Sequence, residues 1–408
     1  MANAIRALDA LKEGGGTLGS AAIDNRDRSF AFYGLAVMNG EMALMYDSVA
    51  VSHPGLASDE VPPLQHYSAA MEDVLKQLDS AIALANAGTS AFPLPLTYIK
   101  NRAGPTTHAD YIRLLRSMKA RFRAGVARTP AERGAVNWGE VVSDAANGIT
   151  DDFVLDLVAN EGWGHGWLNQ AMVFTGWHGM TPYIIGMADT SSGYQSWLSV
   201  PRGSRAAFLI HTPDDRFPKG ATRAAQIADS PAASAVLPST YFRVRVAGED
   251  TPGEPWGSSP YDFIRFRSYR QNASVGPWVW FSRGENDMLR AEGLIRLNRA
   301  SEAVPLINRT RVLNGLPAFP AGSDANTRAP ASPGGSATSC VPRTPTGAGN
   351  ALECGTLLEA MKWEKRMETA FVAVPSPDAA LSLYSRMMES GADLIAFELC
   401  ARYCMETA

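Results

Sequence analysis

The sequence predicts a mainly α-helical protein of tetratricopeptide-like helical hairpins, with a loop-rich, aromatic-rich region and a few short strands. Three observations carry that expectation. Residues 285–317 have the apolar spacing of a complete helix-turn-helix unit. Two more helix pairs precede it, and a hairpin that cannot bury its apolar face alone needs such neighbours. Across residues 150–282 helical periodicity fades while glycine, proline and tryptophan rise, and seven of the nine tryptophans fall there.

Composition narrows the function classes. A net charge of −4 with 19% charged residues describes a globular surface without a polyanion-binding face, so nucleic acid is not an expected partner. No apolar run approaches the roughly 20 residues needed to span a bilayer. The opening MANAIRALDALKEGGG lacks the apolar centre of a secretory signal and reads as the end of a helix begun earlier. The 408 residues can bury a large core. We read residues 1–408 as a single domain in three parts: N-terminal hairpins at 28–149, an irregular aromatic region facing a ligand at 150–282, and a C-terminal hairpin with further helices at 283–408.

In order, residues 28–51 alternate on helical period and carry Ala31, Gly34, Ala36 and Gly40, small enough for close helix contact. A proline-rich loop leads to a partner helix at 65–87 with Tyr67, Met71, Val74, Leu78, Ala81 and Ile82 along one side. The next pair begins at 107–127, where Leu114, Leu115, Met118 and Phe122 form the inner face and the Arg113–Arg123 run reads as a solvated one. Thr129 with Glu132 has the signature of a capping box, and Asn137 can cap a helix bearing Trp138, Val141, Val142 and Ala145 inward.

In residues 285–317, Met288, Ala291, Leu294, Ile295 and Leu297 share a face, with Arg290, Glu292 and Arg296 elsewhere. Ser301 is placed to cap a second helix whose inward set is Ala303, Leu306, Ile307 and Leu313. Pro305 falls in its first turn and Gly315 ends it. A Ser/Pro/Gly/Thr-rich loop follows. The last clear helix, at 357–373, has Leu358, Met361, Met367 and Phe371 inward and Lys362, Lys365 and Glu368 outward. Cys340 and Cys354 flank the loop as either a disulfide or two thiols, while Cys400 and Cys404 read as core residues one turn apart.

No catalytic, metal or cofactor set emerges. The six histidines are scattered, and no nucleophile elbow, phosphate loop or dinucleotide fingerprint is present. Asp151, Asp152 and Glu161 are available carboxylates, but glycoside hydrolysis requires two that face each other across a cleft. Asp151 and Asp152 better suit the start of a helix or turn. The aromatic region is more informative. Trp163 and Trp167 lie in GWGHGW and Trp177 in GWHG, with Tyr183, Tyr194, Trp197 and, farther on, Trp256 completing the candidate ligand-binding set. Flat rings stack on the apolar faces of sugars, and their polar tips bond to hydroxyls. Each ring taken alone is better read as a plug between loops and helices; the group is the candidate face.

These residues also resemble a family. Glu285, the Leu289–Leu294 run, Glu302-Ala303, Ile307-Asn308, Arg311 and the Gly315–Pro317 exit are similar to the helical hairpin of the SusD/RagB family. The helix carrying Glu364, Arg366 and Glu368 resembles the family's later helix, and those at 33–46 and 67–85 resemble its first tetratricopeptide pair. The match extends over about half the chain. The resemblance implies a non-catalytic lipoprotein exposed at the outer membrane, lying over a SusC-like TonB-dependent transporter and capturing an oligosaccharide or peptide for import. It implies no cofactor and supplies no ligand residue. The family's signal sequence and lipidated cysteine are not in the chain as given, nor is its usual C-terminal motif after Phe371. Two rivals are a tetratricopeptide scaffold that binds peptides and an all-α glycoside hydrolase.

Overall fold

The computed structural model describes residues 1–57, 59–161, 180–246, 249, 259–346 and 351–370. It is mainly helical with short two-stranded sheets. Spatial clustering divides it into two units, Met1–Leu155 with Val279–Gly293, and Asp156–Trp278 with residues 294–370.

The first unit begins with α1 (Ala2–Glu13) and α2 (Ala21–Met45). Ser20 starts α2 by accepting the Ile23 N–H, so the helix begins seven residues before the periodic stretch does. α2 packs mainly on α3 (Tyr67–Ala87), which buries Ala70, Met71, Val74, Leu78, Ala81, Ile82 and Ala85 on one face. Between them β1 (Ser48–Ala50) pairs antiparallel with β2 (Leu64–His66), shortening both expected helices at that end. Gly40 shows why small residues line α2: a Cβ there would stand 2.6 Å from the Phe122 ring. α4 (His108–Gly125), α5 (Pro130–Ala135) and α6 (Trp138–Ala146) follow, capped by Thr107, by the Thr129/Glu132 capping box and by Asn137. Asp151 lies in a bend and not a helix, at the entrance of β3 (Phe153–Val158), and Asp152 accepts the Arg283 N–H at 2.8 Å.

The Arg113–Arg123 run is not a uniformly solvated face. Lys119 and Arg121 are buried: Lys119 pairs with Asp79 of α3 at 2.5 Å, and residues 283–293 lie against α4 and supply the partner of Arg121. Both Glu285 oxygens accept from Arg121 at 2.6 Å, and Arg121 rests 3.9 Å over the Phe281 ring. Glu292, expected away from the packed face, is likewise buried against Arg133 at 2.8 Å. Ser117 donates to Asn286, whose Nδ2 donates to the Ala145 carbonyl. Polar residues thus cement these helices as much as apolar ones do.

The second unit contains α7 (Pro182–Ile185), α8 (Gly193–Ser199), α9 (Arg223–Asp229), the antiparallel pair β4 (Phe242–Val244) and β5 (Tyr261–Phe263), and α10 (Arg267–Gln271). Residues 208–211 form no strand. β6 (Val275–Phe281) pairs with β3 and leads to α11 (Arg283–Arg296) and α12 (Ala300–Leu313). The cap expected from Ser301 is absent. The helix starts two residues earlier, with Arg299 as an N-cap making no side-chain cap bond, and Pro305 consequently lies in its second turn.

At the other end Gly315, with φ +72°, bonds to Val312, and the Leu316 N–H bonds to the Arg311 carbonyl at 2.8 Å. This is a Schellman motif, which turns Leu316 inward to 3% exposure and leaves Leu313, expected inward, at 80%. Leu297 is also exposed, since α11 stops before it. A disulfide joins Cys340 to Cys354, with Cα atoms 5.6 Å apart, beside the antiparallel pair β7 (Arg343–Pro345) and β8 (Leu352–Cys354). Cys400, Cys404 and Phe371 lie outside the described residues.

α13 (Leu357–Thr369) opens with a second capping box, Thr356/Glu359, and packs on α12. Lys365 and Glu368, expected outward, are buried. Glu368 joins a charged core centred on Arg216, which is fully buried and reaches Asp214 at 2.8 Å, Glu364 at 3.0 Å and Glu368 at 3.4 Å. Tyr241 donates to Glu368 and Trp363 to Asp214, each at 3.1 Å. Burial opposes the charge on Asp214, but Arg216 outweighs it and holds that carboxyl below its usual range. Burial dominates at Glu364, pushing its carboxyl up against the pull of Arg216 and Arg311.

Candidate functional site

Three of the seven aromatic residues singled out by sequence come together in the second unit. Thr181 accepts the Tyr183 N–H and starts α7 with Pro182 in its first turn. A short turn then delivers Asp189, which is fully buried. Its Oδ1 accepts from the N–H groups of Ser191 and His211 at 3.2 and 3.1 Å, and its Oδ2 accepts the Tyr194 N–H at 3.0 Å. That carboxylate fixes the start of α8, so Tyr194 and Trp197, three residues apart, emerge on one face. Gly186 permits the approach, since a Cβ there would stand 2.3 Å from the Tyr194 ring.

The rings form a continuous wall. Tyr183 meets Trp197 edge-on at 4.9 Å, Tyr194 stacks beside Trp197 at 6.1 Å, and Phe208 stacks against Tyr194 at 6.3 Å. Tyr194 and Trp197 are each 3% exposed and form a small core with Leu352; Tyr183, Met187, Leu198 and Phe208 surround it, partly open to solvent. Arg205 closes the arrangement. Its guanidinium lies 4.3 Å over Trp197 and 5.5 Å over Tyr183, donates to the Val200 and Leu198 carbonyls at 3.0 and 3.3 Å, and bonds the Tyr183 hydroxyl. The Trp197 Nε1–H is buried without a hydrogen-bond partner.

The buried and open members have different chemical capacities. Tyr194 and Trp197 present almost no surface, so they act from behind as a rigid backing. Tyr183, Phe208 and Arg205 offer two partly open rings beside a fixed cation, a combination suited to C–H faces and hydroxyl groups. Trp163, Trp167, Trp177 and Trp256 lie outside the described residues. Arg205 and Phe208 were not legible as site residues: the run PRGSRAAF has no periodic signal, and only the fold sets this arginine over the rings. Among the described residues no cluster of histidine, cysteine, aspartate and glutamate could hold a metal ion, and no helix is long and apolar enough to cross a membrane.

No protein-family profile matches the sequence, and it has no significant match among curated proteins. Solved structures do match. A SusD homolog from Parabacteroides distasonis aligns over 95% of this chain and 72% of its own, with TM-score 0.53 and 13% identity. The chain has a SusD/RagB-type fold. A SusD superfamily protein from Bacteroides vulgatus covers 98% of this chain and 76% of its own, at TM-score 0.48 and 11% identity. A SusD-like carbohydrate binding protein from the same species covers 78% and 60%, at 0.40 and 13%. The chain thus spans between 60% and 76% of the length of these structures. At such identities the likeness speaks for the fold, and the 0.53 match carries it.

Proposed function

We propose that this SusD-type chain is a non-catalytic glycan-capture protein, displayed at the outer surface of the cell and working with a SusC-like TonB-dependent transporter. The observation that carries the reading is the Tyr183–Trp197–Arg205 arrangement on a scaffold of the SusD/RagB type. A capture protein needs a preformed surface that binds sugar rings without transforming them. Stacking planes backed by a packed core meet that need, because the rings lose little conformational freedom on binding. In this reading Tyr183 and Arg205 meet the ligand, and Tyr194 and Trp197 hold them in place. Trp163, Trp167, Trp177 and Trp256 remain proposed members of the same face. A tethered capture protein gains from any retention of ligand near a transporter, since a raised local concentration substitutes for high affinity.

Affinity electrophoresis through gels containing a panel of polysaccharides tests this. The reading expects retardation by at least one polysaccharide, weakened at least tenfold by Tyr183→Ala and by Arg205→Ala, with thermal stability reported for each variant. Binding untouched by both substitutions in folded protein would move the site elsewhere, and release of reducing ends from any retained polysaccharide would contradict the non-catalytic assignment.

A further inference from the structure

In the first unit, α3, α4 and α6 leave an open groove of about 400 Å³ lined by Asn86, His108, Ile112, Arg113, Arg116 and Asn147. That volume lies within the ~300–1,000 Å³ of small-molecule sites. Each arginine is anchored at one edge: Arg113 Nη1 donates to Asp110 at 3.0 Å and Arg116 Nη1 to Asp144 at 2.9 Å. Their side chains remain 44% and 35% exposed, so each planar fork keeps donors accessible in a direction already fixed. Asn147 Nδ2 is committed to the Ser143 carbonyl at 2.9 Å, leaving its Oδ1 as an acceptor. The His108 ring is held edge-on to Phe92 at 5.0 Å, with its Nε2 3.4 Å from Thr89 Oγ1. Ile112 adds apolar surface.

Charge decides the class of ligand. Asp110 pairs with Arg113, while Asp144 is shared by Arg116, Lys119 and Arg123, the last two of which also pair with Asp79 and Glu140; these four cations and four carboxylates cancel, so the groove offers directed donors and acceptors with no net charge from this network. A free anion would gain little there, whereas a neutral molecule carrying several hydroxyl groups can use donor and acceptor alike. We propose that this groove is a second saccharide subsite, accepting a neutral mono- or disaccharide unit through Arg113, Arg116, Asn86 and Asn147. The choice of saccharide rests on the glycan-capture reading, while the position and chemistry of the groove are independent of it. Without an aromatic platform the subsite binds in the millimolar range and serves retention more than selection.

The test uses the full chain with ¹³C-labelled isoleucine methyl groups, titrated with maltose, cellobiose and xylobiose while tryptophan fluorescence is recorded. The Ile112 methyl is expected to shift saturably with at least one disaccharide. Arg113→Ala should weaken that response at least fivefold, as should the milder Asn86→Ala, and Tyr183→Ala should leave it unchanged. A fluorescence response with a static Ile112 methyl rejects the groove and leaves the aromatic site standing. An Ile112 response without fluorescence change supports the groove and counts against the aromatic site; silence in both rejects both. Binding of galacturonate at least tenfold tighter than neutral sugars, or an unchanged Ile112 titration in folded Arg113→Ala and Asn86→Ala proteins, overturns the assignment.

Discussion

At the residue scale, charge burial distinguishes this chain. Arg216 has no exposed surface and three carboxylates within 3.4 Å. Breaking such a cluster from the cationic side leaves uncompensated buried carboxylates. Arg216→Met should therefore lower unfolding free energy by about 3–5 kcal/mol, read from the midpoint of urea denaturation. A second residue gives a pH signature. Burial raises the Glu41 carboxyl to about 7, with Arg121 opposing and Glu285 adding to the effect. A folded-state value above the unfolded one means that the native protein holds the extra proton, so stability falls as pH rises from about 4.5 to about 7. The side chain keeps some contact with solvent, and the linked loss is on the order of 2 kcal/mol. Glu41→Gln should flatten that part of the melting-temperature profile; an unchanged slope between pH 5 and 8 would remove Glu41 as its source.

At the element scale, the Cys340–Cys354 disulfide closes a 14-residue separation in a loop-rich stretch. Replacing both cysteines by serine should cost about 3 kcal/mol, measurable by calorimetry, with the helical circular dichroism of the folded state retained. Helix identity was readable from sequence because periodicity and caps act locally: Thr129, Asn137 and Gly315 behave as their types require. The faces carrying charge were not. Lys119, Arg121, Glu292 and Glu368 are buried because ion partners arrive from distant parts of the chain, as Glu285 does for Arg121. Local pattern also misassigned Leu313, which is exposed because the Schellman turn brings Leu316 inward in its place. At the site, aromatic enrichment drew attention to Tyr183, Tyr194 and Trp197. Their division into open and buried members is set by Asp189 and Arg205, which no spacing rule connects to them.

At the scale of the whole molecule, helical hairpins dominate the first unit, and irregular segments of the second carry the aromatic wall, as loops carry recognition in many proteins. The SusD/RagB-type fold agrees with this division of labour. The central claim is that a sugar lands beside Trp197 on the Tyr183–Arg205 surface. Because Trp197 lies 4.9 Å from Tyr183 and under the Arg205 guanidinium, an arriving ligand changes the field at its indole. The most direct measurement is intrinsic tryptophan fluorescence, titrated with an oligosaccharide panel in wild-type and Trp197→Phe proteins. A saturable change with at least one oligosaccharide, largely lost in folded Trp197→Phe while affinity-gel binding persists, is the predicted result. Equal fluorescence responses in the two proteins, or none in either despite binding on the gel, would contradict it.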